Sequence, residues 1–317
     1  MKIELEDNEI AALIVFPIAL IGTFCNWTIC FKSRSTIAFR NSFGRLTTAQ
    51  SFGDASHSTL FLTVFVPMAF FNIESLKHNS RHLGHVLLIA YDISTYLHLC
   101  ISINRFYSIV FPLIYEKVFT RNFTLFLISI SYSLAIFPSF YLYVYNNCQF
   151  YIDDYYWGFV FLNNTVCQKI SWYADYIKYN VVIATIVTLD SVTVTKMHWN
   201  NEKISNKSST SYALRRRREI NFLKQACFQA LVALWELINY FVITPRLSLS
   251  HKWLRFLSST VSWVMVHVVD GVITITCNKE FHKIFKKRPV AQTTVICSSW
   301  YPGTIGPSIN GVGVGNP

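Results

Sequence analysis

Eight polar or charged side chains stand inside long apolar runs of this sequence, where their chemistry needs an explanation. A charged group at the centre of a bilayer costs about 2.5–3.5 kcal/mol even on insertion scales. We therefore expect all eight to face the interior of a helix bundle, where polar groups can pair or serve a function. They are Asn26, Gln50, Asp54, Asp92, Asp190, Glu236, His267 and Asp270.

The sequence lacks common signatures of catalysis, among them HExxH, GxSxG, a Walker loop and a CxxC pair. His78, His82 and His85 have the spacing i, i+4, i+7, which could hold a metal ion. Three histidines without a fourth ligand are more typical of a polar loop end. The sequence thus predicts neither an enzyme nor a metal or cofactor site.

The composition is that of an integral membrane protein. Of the 317 residues, 52% are hydrophobic and 14% are charged, whereas soluble domains carry roughly 25% charged residues. The mean hydropathy of +0.33 also argues against a soluble enzyme, a disordered chain or a small disulfide scaffold. Membrane-spanning elements must therefore position the polar residues.

Seven apolar runs reach the roughly 20 residues that a helix needs to cross a hydrocarbon core of about 30 Å. The predicted fold is an all-α, integral membrane bundle of seven transmembrane helices. The runs are Ile10–Phe31, Leu46–Phe71, Leu83–Ser108, Asn122–Tyr145, Ser171–Lys196, Ile220–Thr244 and Trp253–Cys277.

Two further segments follow the seventh run. Phe281, Ile284 and Phe285 share one helical face within residues 278–287, with lysines on the flanks. This pattern predicts a short amphipathic helix on the inner leaflet, and the Gly-, Pro- and Asn-rich segment after it predicts a disordered tail. The predicted divisions are an extracellular segment (1–9), a transmembrane domain with its juxtamembrane helix (10–287) and a cytoplasmic tail (288–317).

The basic residues predict the orientation. Of the 28 lysines and arginines, 20 lie on or beside the first, third and fifth loops and the tail, and the other eight lie on the opposite side. Because Lys and Arg concentrate on cytoplasmic loops, the N-terminus is predicted outside and the C-terminus inside the plasma membrane. Arg215–Arg218 borders the sixth span, so we interpret this basic run as facing lipid rather than nucleic acid.

In this orientation, Asn26, Gln50, Asp54 and Asp270 fall in the cytoplasmic or central part of their spans. Gln50 and Asp54 lie one helical turn apart and share a face. Two interpretations remain open. The four residues form one hydrated network, with or without a cation, or they make separate interhelical hydrogen bonds worth about 0.6 kcal/mol per pair.

The loop between spans 4 and 5 carries two signs of an extracellular location. Cys148 and Cys167 both lie in it, where the environment is oxidising. A bridge between them would close a loop of about 20 residues and contribute roughly 3 kcal/mol. Asn163-Asn164-Thr165 is the N-glycosylation triplet on the outer side, so Asn163 is predicted to carry a glycan.

The end of the third span resembles a known signature. Asn104-Arg105-Phe106 and Pro112-Leu113-Ile114-Tyr115 are similar to the Asp-Arg-Tyr and Pro-Leu-x-Tyr motifs of rhodopsin-like G-protein-coupled receptors. Other stretches resemble one branch, the nematode serpentine chemoreceptors of class X, and the resemblance covers about residues 10–285. These stretches are Asn41–Gly44 with Gln50 and Gly53-Asp54, Glu219–Ala226, and Trp263–Gly271.

The resemblance implies a sensory receptor, with a sensory cilium as one location. A small molecule or peptide would bind outside, and the receptor would promote GDP release from the Gα subunit of a heterotrimeric G protein inside. Glu219 would pair with Arg105 in the inactive state, and Asp270 stands at the place of an Asn-Pro-x-x-Tyr motif whose Pro and Tyr are missing here. The residues implied in coupling and switching are Asn104, Arg105, Phe106, Pro112, Tyr115, Glu219 and Asp270.

Aromatic and polar residues of spans 3, 6 and 7 are the candidates for a ligand pocket. Leu87 stands at the depth where amine receptors place an aspartate, 18 residues before Arg105, which disfavours an amine ligand. The candidates are Tyr91, Asp92, Tyr96, Trp235, Glu236, Tyr240, Trp263 and His267.

Two alternatives to a coupled receptor remain open. A channel or transporter could use the acidic residues of the spans as an ion path, although a transporter usually shows internal repeats or broken helices. A decayed receptor could fold without coupling, because the seventh span lacks the expected Pro and Tyr. Sidedness in the membrane separates an inverted seven-span channel from a receptor.

Overall fold

The computed structural model describes residues 5–33, 39–204, 225, 227–277 and 281. Within them, seven long helices form a bundle, and five of these helices contain a π-helical turn. The helices are α1 (Asp7–Ser33), α2 (Ser42–Leu60, continued through Phe61–Phe65 and Val66–Phe70), α3 (Ser80–Val110), α4 (Arg121–Ser139, continued through Phe140–Tyr145), α5 (Thr165–Ile170, continued through Ser171–Ile177 and Lys178–Ile204), α6 (227–237, continued through Ile238–Ile243 and Thr244–Arg246) and α7 (Lys252–Phe256, continued through Leu257–Val261 and Ser262–Cys277).

Polar side chains fix where several helices begin. Asn41 Oδ1 accepts a hydrogen bond from Gly44 N at 2.8 Å before α2, and Asn164 Oδ1 accepts one from Cys167 N at 2.7 Å before α5. Thr120 caps α4 in the same way. Each cap satisfies a backbone donor that the first helical turn leaves open, and contributes about 1 kcal/mol.

Six of the described helical segments are long and apolar enough to cross a membrane. They correspond to the first and the third to seventh predicted spans. The predicted span Leu46–Phe71 lies in α2, which is a long helix but less apolar than the other six. The reason is its position. α2 packs against α1, α3 and α7, and its Gln50, Asp54 and His57 are buried, so these side chains face protein rather than lipid.

The outer surface of the bundle is apolar. Phe24, Phe31 and Phe137 are all more than half exposed, as are other large side chains along α4, α5 and α6. Large contiguous apolar patches on a protein surface mark contact with a membrane or a partner. With helices of this length and hydropathy, the surface fits a bilayer.

A β-hairpin closes one end of the bundle, and we call this the hairpin end. Strands β1 (Phe150–Asp153) and β2 (Gly158–Phe161) pair antiparallel, with Phe150 opposite Phe161. β1 passes so close to α3 that a Cβ atom on Gly84 would lie 2.1 Å from Phe150 O. Glycine at this position therefore lets the hairpin sit deep between the helices.

A disulfide bridge holds the hairpin to the start of α5. Cys148 and Cys167 are bonded, with their Cα atoms 5.3 Å apart, so the predicted bridge is confirmed. Asn163 lies next to it with an exposed side chain, as a glycan would need. Glycosylation of Asn163 itself remains a prediction.

Some predictions concern residues outside those described. They include Glu219, the start of the sixth span at Ile220, and the tail 288–317. The predicted amphipathic helix over 278–287 is described only at Phe281. The ring of Phe281 packs at 5.0 Å from the ring of Phe39, measured between centroids, at the end opposite the hairpin. The predicted division into three parts therefore stays a prediction.

Candidate functional site

The end of the bundle opposite the hairpin, the Arg105 end, contains a buried ion pair. Arg105 of α3 places Nη2 3.7 Å from Asp190 Oδ2 of α5, and both side chains are almost completely shielded. Ser102, one turn earlier on α3, donates a hydrogen bond from Oγ to Asp190 Oδ1 at 2.9 Å. Asp190 is one of the eight polar residues of the spans. The predicted partner Glu219 lies outside the described residues, so its pairing with Arg105 stays a prediction.

The other signature residues gather around the same end. Asn104 Nδ2 donates to the hydroxyl of Tyr115 at 3.2 Å, and Tyr115 belongs to a short helix over Pro112–Val118. Burial raises the pKa of Tyr115, so its hydroxyl keeps its proton at neutral pH. Phe106 packs against Phe111, at 5.8 Å between ring centroids. The short helix is thereby tied to the end of α3.

Leu113 of this short helix is 91% exposed. Neither composition nor periodicity marked it as functional, because it is an ordinary apolar residue of the Pro-Leu-Ile-Tyr stretch. A large side chain with so little contact to its own chain is suited to a partner or a lipid. It lies beside the elements that hold Arg105.

The four predicted network residues are brought together in the middle of the bundle. Gln50 Nε2 donates to Asp270 Oδ2 at 3.1 Å, and Asn26 Nδ2 donates to the main-chain oxygen of His267 at 3.0 Å. His267 Nδ1 lies 2.7 Å from Asp54 Oδ1. The network therefore joins α1, α2 and α7.

Two members of the network differ from the sequence expectation. Ser94 of α3, which the sequence did not single out, donates to Asp54 Oδ1 at 2.6 Å. His267 was expected in the ligand pocket, but it lies in this network between Asp54 and the ring of His57, whose centroid is 3.9 Å away. A serine in a helix gives no distinctive signal, whereas a histidine in an apolar span does.

Several atoms of the network have no hydrogen-bond partner among the described residues. Asn26 Oδ1, Asp270 Oδ1 and His267 Nε2 are of this kind, and all three are buried. Gly271 leaves the space beside Asn26, because a Cβ atom there would lie 2.6 Å from Asn26 Oδ1. Buried polar groups are nearly always hydrogen-bonded, often to water. We therefore expect ordered water here, which favours the hydrated network over separate pairs.

A small cavity lies below the hairpin. Helices α3, α5, α6 and α7 form its sides, and the hairpin covers it. Four predicted pocket residues line it, namely Tyr91, Glu236, Tyr240 and Trp263. The complete lining is Leu88, Tyr91, Phe150, Phe161, Asp175, Tyr179, Glu236, Tyr240, Phe241 and Trp263.

Three other predicted pocket residues lie elsewhere. Trp235 is about half exposed on the outside of α6, because adjacent residues of a helix point about 100° apart and Glu236 takes the inward position. Asp92 and Tyr96 lie behind the cavity wall, on either side of Lys178. Aromatic character alone therefore did not separate the inward from the outward face of α6.

Buried carboxylates surround the cavity. Tyr91 donates its hydroxyl to Glu236 Oε2 at 2.8 Å, and Tyr143 donates to Asp175 Oδ1 at 2.6 Å. Lys178 Nζ lies 3.7 Å from Asp175 Oδ1. Asp175 and Lys178 were missed because they stand near the predicted outer edge of the fifth span, where charged residues usually belong to a loop.

Lys178 also joins α5 to α3. Its Nζ lies 2.7 and 3.0 Å from the two carboxylate oxygens of Asp92. Tyr179 donates to Asp92 Oδ1 at 2.7 Å. The same two helices are therefore held by one charged pair near the cavity and by a second, Arg105–Asp190, about 20 Å along α3.

The hairpin is fixed over the cavity by polar contacts. Thr260 Oγ1 of α7 donates to Trp157 O at 2.8 Å, and Tyr240 donates to Phe159 O at 3.3 Å. The ring of Tyr156 stacks under Arg255 at 4.7 Å. Burial raises the pKa of Tyr156 to about 12, so this phenol stays uncharged well above neutral pH.

Comparison with known families identifies the chain. The family described as "Serpentine type 7TM GPCR chemoreceptor Srx" matches residues 16–278. The chain belongs to the Srx family. The matched range contains every residue of the ion pair, the network and the cavity named above, and the resemblance proposed from the signature residues is confirmed.

Two curated Srx proteins of Caenorhabditis elegans are similar over most of their length. "Serpentine receptor class X 45" is 35% identical over 295 residues, covering 88% of this chain and 81% of that protein. "Serpentine receptor class X-43" is 26% identical over 301 residues, covering 92% and 91%. Both are thus full-length relatives rather than partial matches.

The Srx chain also shares its fold with a solved receptor. It matches the crystal structure of squid rhodopsin with a TM-score of 0.68, covering 89% of this chain and 86% of rhodopsin, at 11% identity. The predicted seven-transmembrane bundle is therefore confirmed. Family and fold are both of the receptor type and not those of an enzyme.

Proposed function

We propose that this Srx protein is a G-protein-coupled chemoreceptor. A small ligand binds in the cavity at the hairpin end, and the Arg105 end promotes GDP release from a Gα subunit. The observation that supports this proposal is the buried Arg105–Asp190 pair, because it lies at the end of the bundle opposite the cavity, where a charged pair can act as a switch.

The charged pairs of α3 and α5 suggest how the two ends communicate. The pair between Asp92 and Lys178 borders the cavity, and the pair between Arg105 and Asp190 lies at the far end of the same helices. Removing one partner of a buried ion pair costs about 3–5 kcal/mol, because the other charge is left unpaired. An arrangement of the helices with such a pair intact and one with it broken therefore differ in free energy. A ligand that binds one arrangement more tightly at the cavity raises the population of that arrangement, and this also changes the Arg105 end.

The proposed orientation follows from the basic residues. The hairpin end, with the N-terminus and the disulfide, lies outside the plasma membrane, and the Arg105 end lies in the cytoplasm. Lys and Arg concentrate on the loops of the Arg105 end. There, the exposed Leu113 and the short helix over Pro112–Val118 offer an apolar contact for the G protein.

Replacing Arg105 tests the proposal. The Arg105→Ala variant should reach the cell surface, as scored with an N-terminal tag on intact cells, but lose nucleotide exchange. Exchange is measured as GTPγS binding with each member of a panel of Gα subunits. The control is Arg121→Ala, which removes an exposed arginine at the same end of the bundle.

Two results would contradict the proposal. Normal exchange in the Arg105→Ala variant would remove the assigned role of Arg105. No exchange above background by the unmodified protein with any Gα would instead favour a receptor that no longer couples. A parallel recording of ionic current in the same cells then tests the channel alternative.

A further inference from the structure

The charges around the cavity do not balance. Asp92, Asp175 and Glu236 are all buried at the hairpin end. Within the described part of the chain, Lys178 is the cation that contacts these acids, and it lies against Asp92 and Asp175. If all four groups carry their ordinary charges, the cluster has a net charge of −2 in a low-dielectric region, where uncompensated charge is costly.

Two nearby cations are engaged elsewhere. Arg255 stacks on Tyr156 of the hairpin, and Lys252 pairs with Asp7 of α1. Neither lines the cavity. Compensation from the described side chains is therefore limited to Lys178, and the remaining negative charge faces the cavity.

Both carboxylates on the cavity wall have bonding capacity left. Asp175 is 3% exposed, and its Oδ2 has no hydrogen-bond partner among the described residues. Glu236 is 2% exposed, and Tyr91 is its hydrogen-bond donor in the described part of the chain. A carboxylate can accept about four hydrogen bonds. A donor on a ligand therefore meets acceptors that the protein itself does not use.

The remainder of the wall is aromatic. Tyr91, Tyr179, Tyr240 and Trp263 present rings to the cavity from four helices, and Phe150 covers it from the hairpin. Aromatic faces attract a cation within about 6 Å of the ring centre. The same rings also bury the apolar body of a ligand.

We propose that the cavity binds a small organic amine. The ammonium group pairs with the carboxylates of Asp175 and Glu236, and the apolar body packs on the aromatic wall. The cavity is small, so the ligand is a monoamine with no more than one ring. This inference rests on the proposed function in that it uses the same cavity.

The inference differs from the expectation drawn from Leu87. That expectation considered one position of α3, where a leucine excludes an ion pair with an amine. The structure supplies carboxylates from α5 and α6 instead, at Asp175 and Glu236. The carboxylates that would pair with an amine thus come from α5 and α6 rather than from α3.

Thermal unfolding of the purified full-length protein in detergent tests the inference. The probes are benzylamine and phenethylamine, compared with benzyl alcohol and phenethyl alcohol of nearly the same shape. Both amines should raise the unfolding temperature in a concentration-dependent manner. The alcohols should raise it much less, because they cannot compensate the carboxylates.

Variants of the two wall acids locate the site. Glu236→Gln and Asp175→Asn keep the side-chain shape and should each raise the half-saturating amine concentration about tenfold or more, because each removes a charge-assisted hydrogen bond. Glu74→Gln is the matched control, since Glu74 is an acid at the same end with its side chain 80% exposed. The unfolding transition of each variant without amine verifies that it is folded.

Three outcomes would overturn the inference. They are the absence of a shift with either amine, equal shifts with amines and alcohols, and unchanged half-saturation in both wall variants. No G protein is present, so binding is judged separately from coupling. Amine binding without nucleotide exchange would contradict the proposed function and leave the inference standing. Arg105-dependent exchange without amine binding would overturn the inference and leave the proposed function standing.

Discussion

At the scale of single residues, two buried ion pairs join α3 to α5. Arg105 of α3 pairs with Asp190 of α5, and Asp92 of α3 pairs with Lys178 of α5. Each pair spans two helices, so it also fixes their relative position. The desolvation of such pairs offsets much of their attraction. We therefore assign them to the control of conformation rather than to net stability.

The pair of Arg105 leads to a prediction for basal activity. Asp190→Asn removes the negative charge but keeps an oxygen for the hydroxyl of Ser102. With the negative charge of this ion pair removed, the protein should exchange nucleotide several-fold faster without ligand, measured as GTPγS binding at equal surface expression. Ser102→Ala removes the hydrogen bond and keeps the ion pair, so it should raise the rate less. A lower or unchanged rate in Asp190→Asn would contradict a restraining role.

The sequence indicated the charged residues of the spans more easily than the pairs that they form. Arg105 stands out through its resemblance to the Asp-Arg-Tyr signature, and the acids of the spans stand out because a charged residue in an apolar run is unusual. Which acid meets Arg105 depends on helix packing, and Asp190 lies 85 positions further along the chain. Ser94 was missed for another reason, since a serine is common in membrane helices and its hydroxyl is small.

At the scale of elements, the helices were predicted well and the hairpin was not. The third span, predicted at Leu83–Ser108, is the helix Ser80–Val110. The fifth begins at Thr165, six residues earlier than predicted, because its first turn is polar and lies beyond the apolar run. Strands β1 and β2 have four residues each and depend on packing against the bundle, which hydropathy does not report.

The disulfide is the element-scale feature that most directly fixes the cavity cover. Cys148→Ser should lower the free energy of unfolding by about 3 kcal/mol, because the bridge restrains a loop of about 20 residues in the unfolded chain. It should also weaken binding in the cavity, since the hairpin is less well held. Thermal unfolding in detergent measures the first effect.

A free cysteine provides the control for the disulfide. Cys25→Ser changes a cysteine that is not bonded to another, and it should leave the unfolding temperature nearly unchanged. Treatment with a reducing agent should bring the unmodified protein to the stability of Cys148→Ser. Equal unfolding temperatures of Cys148→Ser and the unmodified protein would show that the bridge does not stabilise the fold.

At the scale of the whole molecule, the fold of rhodopsin is retained at 11% identity. Seven helices of sufficient length, their short connections and a polar interior are enough to define this architecture, whereas the function depends on particular sites. The sequence predicted the architecture through its apolar runs. It predicted four of the residues that line the cavity, but neither Asp175 nor the hairpin, because these depend on how α5 and the loop before it pack.

Sidedness is the prediction for the whole molecule. In intact cells, a tag at the N-terminus should be accessible to antibody and a tag at the C-terminus should not. Asn163 should carry a glycan, so Asn163→Gln should increase electrophoretic mobility. Asn122→Gln changes a triplet at the Arg105 end and should have no effect. A glycan on Asn122 and an accessible C-terminus would reverse the orientation and remove the proposed site of coupling.

The polarity of α2 has a consequence for the biosynthesis of the protein. Gln50, Asp54 and His57 are shielded in the finished bundle, but they meet lipid if α2 leaves the translocon alone. Charged and amide side chains at mid-membrane oppose such an exit. α2 must therefore be accommodated together with neighbours such as α1 and α3. The residues that build the buried polar network thus make membrane integration a cooperative step during synthesis.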